Sequence, residues 1–569
     1  MPVKARGFRG VFGLALALPV TGLAQGTPPP QPGLIERVAP APAPALGPAL
    51  LPPEPSATTG PGAQRGVRLG AVRLAGNTAL DAPVLRPGFA GLEHRIATLA
   101  EIEAARLAVL SAYRAAGFAY VAVAAGLTAN VSGGADLVLA VTEGFIAGLA
   151  IEGGIGPAER QARRFLEPLV GQRPLPHAAL ERALLLAGDI PGIEASGLLR
   201  PAEGVPGALQ LVVRLARRAA SGFATLDNRG HASTGAWQGL LVGQFNALGS
   251  RGESGQLALF QTDGHGQSFG QAGAEMFLGG SGLRLRGFSG AGRAAPGGVL
   301  AALGYAGETR VAGVALAHPL VRSRPRNLTL TAQFDAFESL VRLRQAPDAP
   351  RERTSRDAVR ALRLGLEGEA RDALLDWAPA AAVSTLTLRL SRGLEAFGAS
   401  DGRHGTSARL GSDFGFTRVV AEASRTQPLL LPLPGWMLSA HVAGAVQWSH
   451  DVLPPAEKFY LGGNRLGRGF HAGQIAGDRA LAGTLELQLA GALGGLGSQF
   501  YLFRDEGRAR DAGGEARRLA SVGGGLRLQL TEAAQLELEA LHRITRTPEG
   551  ANVRQLAEEA VFTRLLLRF

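Results

Sequence analysis

The sequence predicts an all-β transmembrane barrel of sixteen antiparallel strands, preceded by two small α/β modules. Three observations carry that reading. From Ser221 to Phe569 apolar and polar residues alternate with period two, as in Leu328-Thr329-Leu330-Thr331 and Leu485-Glu486-Leu487-Gln488-Leu489. This stretch holds roughly 350 residues, about 22 for each strand and its connection in a sixteen-strand barrel. No run of eighteen apolar residues occurs beyond the N-terminal leader, so no helix is expected to span a bilayer.

Composition narrows the chemistry. The chain has 569 residues, and 58 Lys+Arg against 47 Asp+Glu give a formal net charge of +11. That excess is scattered, without a run of five like charges, so nucleic acid is not an expected partner. There is no cysteine, which excludes a disulfide framework, a thiolate nucleophile and Cys-based metal sites. The 80 glycines disfavour a mainly helical chain, since glycine weakens helix interiors.

At the N-terminus, Lys4, Arg6 and Arg9 precede the apolar stretch Val11–Val20 and the small residues before Gln25. This is the anatomy of a secretory signal peptide over residues 1–24. Residues 25–66 are rich in Pro and Ala, as in Pro28-Pro29-Pro30-Gln31-Pro32, and read as an extended spacer.

The first module, residues 67–145, opens with a strand over Val67–Leu74 and a turn at Gly76-Asn77-Thr78. Ala100–Ala116 places Ile102, Leu107, Leu110 and Tyr113 at helical spacing, and Gly117 stops the helix. Tyr120–Ala124 and Asp136–Thr142 complete it as strands. The second module, residues 146–217, repeats the pattern. Ile146–Ile151 and Leu209–Leu215 read as strands, Pro157–Leu169 and His177–Leu186 as helices.

Residues 218–569 form the barrel. Alternation alone also fits a soluble sandwich with its charged face outside, whereas in a membrane barrel the charged face lines the lumen and lipid takes the Leu face. Closure favours the barrel, because so much β sequence would otherwise expose unpaired edges. The terminal strand places Leu565, Leu567 and Phe569 on one face, and a terminal Phe on such a strand resembles the recognition signal of bacterial outer-membrane proteins.

Several local motifs share one resemblance. Gly76-Asn77-Thr78, Leu80, Tyr113, Gly117-Phe118, Val123 and Glu143-Gly144 resemble the first POTRA (polypeptide-transport-associated) domain of two-partner secretion transporters, the TpsB exporters of the haemolysin secretion/activation type. Leu184-Leu185-Leu186-Ala187-Gly188-Asp189-Ile190-Pro191-Gly192 is similar to the helix end of their second POTRA domain. In the barrel, Asp227-Asn228-Arg229-Gly230 and the periplasmic turn Pro319-Leu320-Val321-Arg322-Ser323 fit the same family. Arg468-Gly469-Phe470 resembles the motif of its sixth extracellular loop, with Gly467 standing where Val is commoner. Phe503, Asp505 and Gly507 match its Phe-x-Asp-x-Gly strand motif.

The resemblance implies a Gram-negative outer-membrane transporter whose periplasmic POTRA domains capture an unfolded exported partner, a large haemolysin or adhesin. Transport would proceed without ATP. Outer-membrane lipid and the barrel-assembly machinery are the other implied partners. The sixth loop folds into the lumen in that family, and an inserted loop needs a directional anchor. Arg468 offers a rigid fork of donors that the Asp505 carboxylate accepts in two bonds. Gly469 is expected to let the chain turn beside it, and Gly507 to leave room on the strand. Read as unrelated charges in a wet lumen, the two would contribute only ~0–1 kcal/mol. A POTRA sheet edge can accept an extended strand. Leu180, Leu184 and Leu185 on the second module's helix are candidate partner contacts, although their spacing suits a core equally well.

Catalysis is not expected, nor is any metal or cofactor. Gly266-Gln267-Ser268-Phe269-Gly270 fits G-x-S-x-G, yet lies among alternating residues without the strand–elbow–helix context a nucleophile requires. The ten His are scattered between His94 and His542, and no His-Glu-x-x-His occurs. The alternatives are a barrel-assembly insertase of the same superfamily, which normally carries more POTRA domains, and a passive porin, which would leave the modules and the inserted loop without a role.

Overall fold

The computed structural model describes residues 64–131, 133–231, 233–346, 348–402, 407–550 and 555–569. The leader expected over 1–24 and nearly all of the spacer expected over 25–66 lie outside them. Among the described residues no helix is long and apolar enough to cross a membrane.

The first α/β unit contains strands β1 (Gly66–Ala75), β2 (Ile96–Thr98), β3 (Val121–Ala129) and β4 (Ala135–Glu143), in sheet order β2-β1-β4-β3. Helix α1 (Leu99–Ala115) begins at a capping box, with Thr98 and Glu101 bonding each other's backbone N–H. It buries Ile102, Val109, Leu110 and Tyr113 against Leu137 and Leu139 of β4. The residues that carried the resemblance converge on one buried carboxylate. Glu143 Oε1 accepts from the backbone N–H groups of Thr78 (2.7 Å) and Ala79 (2.9 Å) and from the Tyr113 hydroxyl (2.8 Å).

The second unit holds β5 (Phe145–Glu152), α2 (Glu159–Leu166), α3 (His177–Gly188), β6 (Ile193–Pro201) and β7 (Ala208–Arg217), in sheet order β5-β7-β6. β6 has no counterpart in the sequence reading, because Ile193–Pro201 lacks a clear alternation. In both sheets the hairpin's first strand, β3 or β6, forms an outer edge. The units are joined tightly: Leu175 N donates to Gly144 O (2.8 Å) and His177 N to Gly117 O (3.0 Å).

Sixteen strands then close into an antiparallel barrel. They are β8 (Ala220–Asp227), β9 (Gln238–Phe245), β10 (Ser254–Thr262), β11 (Gln267–Phe277), β12 (Arg284–Ala294), β13 (Ala306–Arg322), β14 (Arg326–Arg344), β15 (Arg351–Asp372), β16 (Ala382–Gly393), β17 (Thr417–Leu433) and β18 (Trp436–Ser449). A short hairpin that is not part of the wall, β19 (Phe459–Leu461) with β20 (Ile475–Gly477), interrupts them. The ring resumes with β21 (Arg479–Leu493), β22 (Leu496–Arg510), β23 (Ala516–Gln529), β24 (Ala534–Arg543) and β25 (Glu559–Arg568). β25 pairs with β8, and Phe569 completes the seam by exchanging backbone bonds with Gly222 at 2.8 and 3.0 Å.

The period-two pattern sets the two faces. Leu362 and Leu364 are each 50% exposed on the outside, while Arg363 between them is 8% exposed in the interior. Leu567 and Phe569 also point outward. The four tryptophans sit near the strand ends, Trp377 and Trp436 at one end of the barrel and Trp237 and Trp448 at the other. An apolar ring with one polar N–H is stable at a membrane–water interface.

The α/β units mark the periplasmic end. The second unit's core runs on into the barrel turns through Ala247 and Phe277, and Phe165 meets Phe277 edge-on at 5.3 Å. Asp189 takes two bonds from Arg322, at 2.8 and 2.7 Å, in the turn between β13 and β14. Arg182 Nη2 donates to Pro319 O at 2.8 Å. The longer connections 228–237, 394–416, 450–478 and 544–558 therefore lie at the extracellular end.

One candidate contact is corrected here. Leu180 is 1% exposed in the core of the second unit, so it packs the fold and offers no surface to a partner. Leu184 is partly buried against the same core, and Leu185 is half-buried.

Candidate functional site: an extracellular loop tied to the lumen wall

The connection between β18 and β21 folds inward. The β19–β20 hairpin carries the chain past Leu461, and the tip between them holds Arg468. Alternation directs Thr484 and Glu486 of β21 and Phe503 and Asp505 of β22 into the same part of the lumen, where all four are buried. Thr484 and Asp505 face each other directly across the two strands.

Arg468 reaches this wall with all three guanidinium nitrogens and its backbone N–H donating. Its Nη2 and Nε lie 2.9 and 3.1 Å from the two Asp505 oxygens, and its backbone N–H donates to Asp505 Oδ2 at 2.7 Å. Nη2 also donates to Thr484 Oγ1 (2.8 Å), which donates in turn to Asp505 Oδ1 (2.6 Å). Nη1 bonds Glu486. The guanidinium stacks over the Phe503 ring, 3.7 Å from its centroid. The Arg468 and Asp505 side chains are 6% and 0% exposed, so the weak, solvated version of this pair does not apply.

The glycines divide their roles differently from expectation. The left-handed residue is Gly467, with φ +82°, where a β-branched side chain would be strained. Gly469 instead permits close approach, since a Cβ there would stand 2.5 Å from Ser521 Cβ. Gly507 lies between Leu461 and Leu519, where a Cβ would come within 3.1 and 3.3 Å of their side chains. Phe470 is fully buried beside Leu461, Ile475 and Leu519, giving the loop an apolar foot.

A larger network surrounds the pair, and sequence motifs did not reveal it. Arg229, on the 228–237 connection, donates to Arg468 O (2.6 Å) and to Glu539 Oε1 (2.7 Å). Arg543 donates to Gly469 O. Arg527 bridges Glu486 (2.9 Å) and Glu537 (3.1 Å). The root of the loop has a separate anchor, in which Glu457 receives Arg363 at 2.7 Å and Arg418 at 2.9 Å while Arg363 also pairs with Asp335 at 2.8 Å. Period two identified the inward face of the strands that alternate clearly, but not which residues meet across the lumen.

On the other side of the interior an apolar patch lies among buried polar groups such as Asp335 and Arg363. Leu240, Phe260, Phe269, Phe337 and Val359 line it, and Phe414, Phe416 and Leu453 from extracellular connections cover it. Arg409 holds that cover by two bonds to Asp478, at 2.6 and 2.8 Å. Ser268 is a ladder residue of β11 opposite Arg293, not an elbow nucleophile, and no metal-holding cluster occurs among the described residues.

The model of the haemolysin secretion/activation family, ShlB/FhaC/HecB, matches residues 208–528. Among solved structures, CdiB from Escherichia coli aligns over 91% of this chain and 93% of its own, with TM-score 0.70 and 19% identity. CdiB from Acinetobacter baumannii aligns over 89% and 90%, with TM-score 0.63 and 17% identity. At these identities the likeness is one of fold. No curated protein matches the sequence itself.

Proposed function

Because this chain belongs to the ShlB/FhaC/HecB family of haemolysin secretion/activation proteins, outer-membrane transporters that secrete partner proteins, we propose that it carries one large unfolded haemolysin- or adhesin-type protein from periplasm to cell surface. The two α/β units act as POTRA domains and receive the partner. Their outer strands β3 and β6 present unpaired backbone to an extended segment, the geometry of strand addition. The barrel is the conduit, and ATP is not used. Insertion of the barrel itself falls to the barrel-assembly machinery, with outer-membrane lipid around the Leu face.

The observation that carries the reading is the Arg468–Asp505 contact inside the lumen. A freely open pore would not keep a loop fastened across its interior by buried ion pairs. A conduit for a polypeptide needs an occupied resting state and an element that can move aside. The pair is electrostatic in role: Arg468 supplies the fork, Asp505 the fixed acceptor, and Glu486 and Thr484 hold both in register.

The test is deletion of residues 67–217 in the otherwise intact protein. Export of the partner is expected to cease while the barrel still inserts and conducts ions. Export at the normal rate without these units would refute their role as receptor.

A further inference from the structure

The outer face of β22 and β23 carries charge where a barrel wall meets lipid. On β22, Phe503, Asp505 and Ala509 point inward, at 5%, 0% and 1% exposure. The intervening Arg504, Glu506, Arg508 and Arg510 must therefore point outward. On β23, Leu519 and Ser521 point inward, which sends Arg518 to the outside. All five lie in the part of these strands nearest the 511–515 connection, at the extracellular end.

Their pairing is unusual. Arg508 stands directly opposite Arg518 across the ladder. Like charges in that position repel, and the repulsion grows where lipid lowers the local dielectric. Lipid is close: on the other side Arg508 faces Leu481 and Arg504 faces Leu485, both outward and 63% and 52% exposed. Glu506 pairs with Arg518 and lies 3.8 Å from Arg504. Arg508 and Arg510 have no ion pair or side-chain hydrogen bond among the described residues. Two of the four guanidinium groups thus share one carboxylate, and the other two have none.

We propose that this patch binds the phosphate groups of the phosphorylated glycolipid that forms the outer leaflet of the outer membrane. A phosphate monoester accepts two-pronged bonds from arginine and would turn the Arg508–Arg518 repulsion into a shared attraction. Leu481, Leu485 and Leu502 lie beside and below the arginines, where acyl chains attached to the same headgroup would rest. A free phosphate would meet the arginines but not the leucines. The extracellular position selects the outer-leaflet glycolipid over a phospholipid.

The experiment uses the full-length protein in detergent, titrated with bisphosphorylated lipid A, dephosphorylated lipid A, phosphatidylglycerol and inorganic phosphate, with bound lipid read by native mass spectrometry. Bisphosphorylated lipid A is expected to bind at least tenfold more tightly than each of the others. The double variant Arg508→Gln/Arg518→Gln is expected to lose that advantage. A second double variant, Arg508→Lys/Arg518→Lys, keeps the charge, loses the fork and is expected to fall between. It also stands in if the glutamine variant fails to give a folded, heat-modifiable barrel. Equal binding by wild type and variants, equal binding of phosphatidylglycerol, or inorganic phosphate bound as tightly as lipid A would each overturn the proposal.

Discussion

Replacing Arg468 by alanine removes one side chain from the loop and none from the barrel ladder. In the wild-type protein its guanidinium satisfies Asp505 twice, Thr484 once and Glu486 once, and covers Phe503. After truncation Asp505 keeps the Thr484 hydroxyl and the backbone N–H of residue 468, and Glu486 keeps Arg527. Losing one member of a buried, hydrogen-bonded pair typically costs ~3–5 kcal/mol. The contacts that remain place this case toward the lower end. At about 1.4 kcal/mol per tenfold, the seated loop loses roughly two orders of magnitude of its population advantage. The barrel should still insert, since the ladder bonds of β21 and β22 are untouched. Single-channel recordings in planar bilayers should show larger and noisier conductance, and export of the partner at matched barrel levels should fall strongly. Asp505→Ala should behave likewise, and Arg468→Lys should be intermediate because an ammonium cannot reach Asp505 and Glu486 with the same fork. Exchanging the charges, Arg468→Asp with Asp505→Arg, should not rescue, because the new carboxylate would face Glu486. Normal export and conductance in both alanine variants would refute the anchoring role.

Three further outcomes are expected. Burial pushes Glu143 up, but its bonds from Thr78, Ala79 and Tyr113 outweigh this and hold its pKa below the ordinary glutamate value. The stability it contributes is therefore present above that value, ~4.3, and is lost as pH falls through the depressed folded value. Hydrogen exchange should show β1 and β4 losing protection below about pH 4, and Glu143→Gln should lower it already at neutral pH. Arg322→Ala should loosen the second unit from the barrel by roughly 1 kcal/mol, as the pair is partly exposed. Spin-label distances between α3 and β14 should broaden, and export should fall less than in Arg468→Ala. Finally, the barrel should migrate as a compact band in detergent gels until boiled, and recovery in the soluble periplasmic fraction would contradict the fold.

Much of this architecture was legible because a membrane barrel constrains each strand separately. Leu362-Arg363-Leu364 states which face meets lipid without knowledge of any partner strand, and Leu485-Glu486-Leu487 placed Glu486 in the lumen in the same way. Arg468 and Asp505 were found only through motif order, since 37 residues separate them and periodicity carries no information about that contact. The contacts of Arg229, Glu539 and Arg527 and of the Glu457–Arg363 anchor stayed hidden for the same reason, as the partners lie on distant strands and on connections. Leu180 shows the opposite limit. Helical spacing marks an apolar face, but burial by the sheet and the barrel turns decides whether that face is available. The left-handed position fell to Gly467 and the close contact to Gly469 because left-handed geometry and close packing both select glycine.

The most direct measurement is quantitative proteomics of the culture medium and cell surface in a strain lacking this protein, complemented with wild type or Arg468→Ala at equal barrel levels. One large exported protein is predicted to vanish from the outside in the deletion strain, to return with the wild-type chain, and to stay strongly reduced with the variant. An unchanged set of exported proteins in the deletion strain would contradict the account.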